Sequence, residues 1–179
     1  PLEPIPQGEH LFLREKKTEQ AHIMLGFLGY PEMHPAHFNA KILSIILGGG
    51  MSSRMFLSVR ERQGLAYYIS TSTDDYTDTG TFSTNAGVSL DGIDKAISAV
   101  IGEYGKILQE PVPPAELKKA KEFLKGKLVL RLEDSEEYAH LLGKFQVLYD
   151  KTVTPEQILA EVDKVTAEDV QRVARDLFK

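Results

Sequence analysis

Leu47 to Ala86 reads LGGGMSSRMFLSVRERQGLAYYISTSTDDYTDTGTFSTNA, and the fold follows from how this stretch is divided. Gly48, Gly49 and Gly50 free the backbone, Ser52 or Ser53 can accept the free amides of a new helix, and Phe56, Val59 and Gln63 follow at helical spacing. The spacing predicts a short helix running to about Gln63. Gly64 is the residue type that closes a helix in the left-handed conformation, and Leu65 to Thr73 is rich in aromatic and β-branched residues. The expected product is a helix, a sharp turn and a strand. Arg60 falls in the last helical turn and Tyr67 near the start of the strand, so the turn can fold a guanidinium and a phenol back towards one point. Both groups are donors, Arg through a fixed fork of N–H groups and Tyr through its O–H. Two donors aimed at one point suit an oxygen that gains negative charge.

Downstream, Asp74 to Gly80 is turn chemistry, and Thr81 to Val88 returns as a second strand with Phe82, Thr84, Ala86 and Val88 on one face. Alternation places Tyr68 opposite Tyr67 and so in the core. Ser89 is expected to cap a helix whose apolar stripe runs from Ile93 to Leu108. Upstream, Gln20 to Tyr30 is almost wholly apolar, which suits a mid-sheet strand with little solvent on either face. Pro31 ends it, and Phe38 to Leu47 reads as a buried helix. His10 to Glu15 alternates like a short strand.

After the prolines at 111, 113 and 114, a long helix begins near Ala115 and carries Ala120, Phe123, Leu124 and Leu128 inward. Glu133-Asp134-Ser135 is a break or kink, Glu136 to Tyr149 is a further helix, Thr154-Pro155-Glu156 opens another, and Thr166 starts the last. This order predicts an α+β fold, a mostly antiparallel sheet with helices packed on one face. Residues 1–8, rich in proline, read as a linker from a missing N-terminal half, so a fragment of a longer protein or a processed product is expected. Residues 9–179 read as one domain, with the sheet and central helices in 9–110 and a helical part in 111–179.

Composition narrows the function classes. The chain has 179 residues, 42% hydrophobic and 26% charged, ordinary for a globular domain. Its net charge is -5, and the basic residues are scattered through helices rather than gathered in a stripe, which argues against nucleic acid as a partner. There is no cysteine, hence no disulfide or thiolate metal site, and no apolar run approaches the roughly 20 residues a membrane helix needs. A cytoplasmic location is expected from the lack of cysteine and of a signal segment. Asp74, Asp75 and Asp78 lack the glycine and bidentate Glu of a calcium loop and read as a solvated hairpin tip. His34 and His37 are separated by Pro35 and read as capping or surface residues, and His10, His22 and His140 are isolated. His22 suits a satisfied core or edge histidine. No zinc-ligand set is expected from this chain.

The string Leu47-Gly48-Gly49-Gly50-Met51-Ser52-Ser53-Arg54, followed by Val59-Arg60-Glu61-Arg62-Gln63-Gly64-Leu65-Ala66-Tyr67, closely resembles the C-terminal half of the pitrilysin/insulinase family of zinc peptidases, which includes mitochondrial processing peptidase and bacterial relatives. The resemblance covers nearly the whole chain. It implies two homologous domains facing each other around a substrate chamber, with zinc held by the other half on an inverted H-x-x-E-H helix that this chain lacks. By the same resemblance Arg60 and Tyr67 reach the bound peptide and stabilise its tetrahedral oxyanion, and the loop of Gly48, Gly49, Gly50, Ser52 and Ser53 lies at the substrate. The implied activity is that of a zinc metallopeptidase acting on peptides or unfolded segments, with this chain inactive alone. The implied partners are the homologous zinc-bearing half, on the same chain or a separate subunit, and the peptide. The rival readings are a non-catalytic structural or assembly subunit of the same family and a homodimer whose copies bury the chamber face.

Overall fold

The computed structural model describes Leu13, Arg14 and residues 17–179. The expected linker at 1–8 and most of the expected strand at 10–15 lie outside the described residues. The element order begins with strand β1 (Ala21–Gly29) and helix α1 (His37–Gly48), then a π-helix (Phe56–Arg62), β2 (Ala66–Asp75) and β3 (Gly80–Val88). Five α-helices follow: α2 (Ile93–Gln109), α3 (Pro114–Arg131), α4 (Ser135–Tyr149), α5 (Pro155–Lys164) and α6 (Ala167–Leu177). The three strands form an antiparallel sheet in the order β1-β3-β2, and the α+β class expected from the sequence holds. Among the described residues no helix is long and apolar enough to cross a membrane.

The sheet is dry on one face only. Phe82, Thr84, Ala86 and Val88 of β3 are buried, with Ile69 and Thr71 of β2 beside them, while Ile23, Leu25 and Phe27 of β1 are partly buried against the same core. Against this layer lie α1, whose Ile42, Leu43 and Leu47 are 0% exposed, and α2, which contributes Ala96, Val100, Tyr104 and Ile107. The hydroxyls inside the core satisfy one another: Thr71 and Thr84 are 2.7 Å apart and Tyr104 donates to Thr84 at 2.6 Å. Burial pushes the Tyr104 phenol up to about 12 despite the hydrogen bond to Thr84.

Several expectations are corrected. β1 is not a mid-sheet strand but an edge strand of the described sheet, with Met24 at 70% and Leu28 at 69% exposure on the uncovered face. A run of apolar residues records hydrophobicity but not which face a helix will cover, and antiparallel sheets tolerate one open face. The helix after the glycines is also not a regular α-helix. After a start at Arg54 and Met55 it widens into the π-helix, and Leu65 N–H reaches back to the Val59 carbonyl at 3.0 Å. Neither Ser52 nor Ser53 caps it: no side-chain cap is made, and the Ser53 hydroxyl instead donates to the Gly50 carbonyl at 2.6 Å. Gly64 does end it in the left-handed region, at φ 62°.

The helical part of the chain has well-marked starts. Thr154 and Thr166 each form a capping box, with Gln157 and Asp169 respectively, and Asp134 accepts the Glu136 N–H at the start of α4. Only Ala120 of α3 is fully buried, and Phe123, expected inside, is 44% exposed. Leu117 and Leu124 of this helix are partly buried against the core, while Val129 and Leu130 are exposed.

Candidate functional site

The π-helix and the start of β2 place the two donors singled out by the sequence. Arg60 is half-buried, its Cζ lies 4.6 Å from the centroid of the Phe56 ring, and its carbonyl takes the Gly64 N–H at 3.1 Å. That backbone bond and the Leu65-to-Val59 bond turn the chain from helix into strand. Among the described residues no carboxylate lies within ion-pairing distance of Arg60. Arg54, one and a half turns earlier, is the contrast. Its guanidinium grips Glu116 of α3 through two hydrogen bonds of 2.9 and 2.7 Å, which raise its pKa. One arginine of this helix is committed to holding α3, and the other stacks on an aromatic ring with no side-chain partner for its donors among the described residues.

Tyr67 is 60% exposed. It owes this to a β-bulge: Ala66 pairs with Val88 and Tyr68 with Gly87, so Tyr67 is the extra residue with no opposite number. The bulge also resets the alternation. Tyr68 is therefore not a core residue; it is 42% exposed on the open face, and its hydroxyl meets His22 Nδ1 at 3.0 Å. Arg60 and Tyr67 thus flank one turn, with no hydrogen bond joining their side chains. The sequence reading missed the link between Tyr68 and His22. The signal for it was present in Gly87, but only the register of three strands puts that glycine between them.

The glycine-rich segment is more tightly built than its composition suggests. Gly48 is the last residue of α1, and a Cβ there would fall 2.4 Å from the Thr71 backbone nitrogen, so the helix end sits directly on β2. Gly49 closes α1 and donates to Ile45, while Gly50 approaches the Phe123 ring. Ser53 is buried and Ser52 is exposed. Gly48 and Gly49 line a cavity of about 650 Å³ bounded by α1, α3, α4, α5 and β2. That cavity contains neither Arg60 nor Tyr67. Its floor holds the buried His37, whose Nδ1 lies 3.5 Å from Asp75, with Lys41 Nζ at 3.1 Å from the same carboxylate. Burial works to raise the Asp75 pKa, but the neighbouring His37 and Lys41 side chains outweigh it and hold the carboxyl below its ordinary range. Asp75 is accordingly a half-buried ion-pair member, not part of a solvated hairpin tip.

Among the described residues the remaining imidazoles have local roles. His34 stacks on Tyr30 at 4.5 Å and its Nδ1 accepts the Ala36 N–H, a role at the start of α1. Among the described residues no group of three or more His, Cys, Asp or Glu side chains is placed to hold a metal ion.

Residues 1–124 match the family described as "Peptidase M16 inactive domain". The chain is 34% identical over 165 residues to the uncharacterized zinc protease YmxG of Bacillus subtilis, covering 92% of the chain and 40% of that protein. To the uncharacterized zinc protease SCO5738 of Streptomyces coelicolor it is 33% identical over 163 residues, covering 91% of the chain and 36% of that protein. The chain therefore spans roughly two fifths of the length of the curated relatives it matches. Among solved structures, a protease from Helicobacter pylori superposes with a TM-score of 0.80 at 21% identity, over 92% of this chain and 40% of that one. Complex III2 from Candida albicans contains a chain that superposes with a TM-score of 0.81 at 16% identity, over 91% of this chain and 41% of that one. These two likenesses establish the fold alone. The family match and the bacterial relatives go further: this chain belongs to the peptidase M16 family and is a copy of its inactive domain.

Proposed function

We propose that this domain is the substrate-binding and oxyanion-stabilising half of a zinc metalloendopeptidase, with the zinc held by a homologous half on the same polypeptide or on a partner subunit. The observation that carries the reading is the state of the two donors. Arg60 has no acidic partner among the described residues, and Tyr67 is turned outward by a bulge on the other side of the same turn. A purely structural arginine would be expected to resemble Arg54, with its donors consumed by Glu116. Peptide hydrolysis moves negative charge onto the former carbonyl oxygen. N–H donors from Arg60 and the O–H of Tyr67, already oriented, stabilise that charge more than they stabilise the neutral carbonyl. The substrates in view are peptides or unfolded segments, whose backbone carbonyls are free to enter a chamber. A structural or assembly role, the second reading, is favoured by no particular residue.

The test is cleavage of a quenched unstructured peptide by this chain mixed with its zinc-bearing half. The expected outcome is that the chain alone is inert, the mixture cleaves, and Arg60→Ala and Tyr67→Phe each lower kcat/KM by about 100- to 1,000-fold. Equal cleavage with either variant overturns the assignment and leaves the scaffold reading in its place.

A further inference from the structure

On the open face of the sheet, three residues from three strands stand in one row. Tyr68 of β2 is opposite Gly87 of β3, and Gly87 is opposite His22 of β1. A Cβ on Gly87 would lie 2.5 Å from Tyr68 Cε1 and 2.9 Å from Cδ1, so the phenol ring covers the central strand at a position with no side chain. At the far end of the ring, the Tyr68 hydroxyl meets His22 Nδ1 at 3.0 Å, and the two ring centroids are 6.0 Å apart. The bridge ties β2 to β1 across β3. A side chain larger than hydrogen at 87 would lift the ring and break it.

The bridge also starts at the residue next to the bulge. A bulge leaves one residue without a ladder partner and lets the strand bend, so its side chain is only as well aimed as the paired residues on either side. Ala66 is held on one side by burial against the core. On the other side, the ladder partner of Tyr68 is a glycine, which offers no side chain to pack against. The hydrogen bond to His22 supplies the missing anchor.

We propose that Tyr68 and His22, bridged over Gly87, are positioning residues that hold the bulge so that Tyr67 is aimed outward in its working orientation. This rests on the oxyanion role given to Tyr67 above. Tyr68 itself touches neither substrate nor reacting atoms; it acts through its neighbour.

The experiment joins kinetics on the reconstituted peptidase to amide hydrogen exchange on this chain. Tyr68→Phe and His22→Ala are each expected to lower kcat about ten-fold while KM moves by less than about two-fold, because misplacing an aligned group costs rate more than binding. His22→Gln, which keeps a hydrogen-bonding group, is expected to recover most of the loss. The variant carrying both Tyr67→Phe and Tyr68→Phe is expected to be no slower than Tyr67→Phe alone, since nothing remains to be positioned. Exchange at the amides of Tyr67, Tyr68 and Gly87 is expected to quicken about ten-fold in Tyr68→Phe, with exchange in α1 unchanged. Additive losses in the double variant, or wild-type kinetics in Tyr68→Phe, overturn the proposal. If Tyr67→Phe cleaves normally, the oxyanion reading is what has failed, and the exchange data alone decide whether the bridge holds the bulge: quickened exchange supports it, and unchanged exchange overturns it.

Discussion

The two faces of the sheet are built from alternate residues of the same three strands, yet they have opposite characters. The covered face carries Phe82, Thr84, Ala86 and Val88, buried under α1, α2 and α6, with the hydroxyls of Thr71, Thr84 and Tyr104 hydrogen-bonded in a chain. The open face carries His22, Met24 and Leu28 from β1 and Tyr68, Ser70 and Ser72 from β2, and most of these are exposed. The bulge at Tyr67 interrupts this alternation and turns a second tyrosine outward. The comparison teaches that stability and the proposed chemistry are carried by different residues of one element. Substitutions should therefore separate them.

The largest effect on stability is expected on the covered face. Phe82 is 0% exposed and packs edge-on against Phe178 at 5.5 Å, so Phe82→Ala should lose about 3–5 kcal/mol, read by denaturant unfolding. A loss below 1 kcal/mol would break the division between the faces. Next comes Gly48→Ala, whose new methyl would meet Thr71 backbone atoms that cannot swing aside; overpacking there should cost about 1–3 kcal/mol. An unchanged midpoint would mean that α1 can move away from β2 without cost.

A smaller effect is expected in the pH dependence. The Asp75 carboxyl is held below its ordinary range in the folded chain, so it contributes stability above the unfolded carboxylate pKa, and this is lost as pH falls through the lower folded value. Asp75→Asn should therefore flatten the acid limb of the stability curve while changing the neutral region in the same direction for the paired Lys41→Met variant. An acid limb identical to that of the parent would show that Asp75 gains nothing from His37 and Lys41. The smallest effect belongs to the open face: Met24→Ser and Leu28→Ser should each change stability by no more than about 0.5 kcal/mol. A larger loss would mean that this face is covered in solution.

Much of this arrangement is legible from residue types. The turn at Gly64, the hairpin between β2 and β3, the inward face of β3, the break at Asp134 and the helix starts at Thr154 and Thr166 depend on interactions within a few residues, and all are where the sequence places them. The failures depend on distant partners. β1 reads as doubly buried because an apolar run records hydrophobicity but not the strand's place at the sheet edge. Ser52 and Ser53 read as caps because spacing at 3 and 4 does not distinguish a π-helix with its wider turn. Strict alternation puts Tyr68 inside, but alternation holds only where no bulge intervenes.

For the candidate site, the sequence by itself determined which donors stand on either side of one turn, since Arg60, Gly64 and Tyr67 are joined by short-range backbone geometry. Only the tertiary structure decided that Arg60 meets no carboxylate among the described residues while Arg54 is bound to Glu116, because the partner lies 62 residues away and is delivered by the packing of α3. The same holds for Tyr68 and His22. They are 46 residues apart, and they meet because β3 runs between them with a glycine at the crossing point.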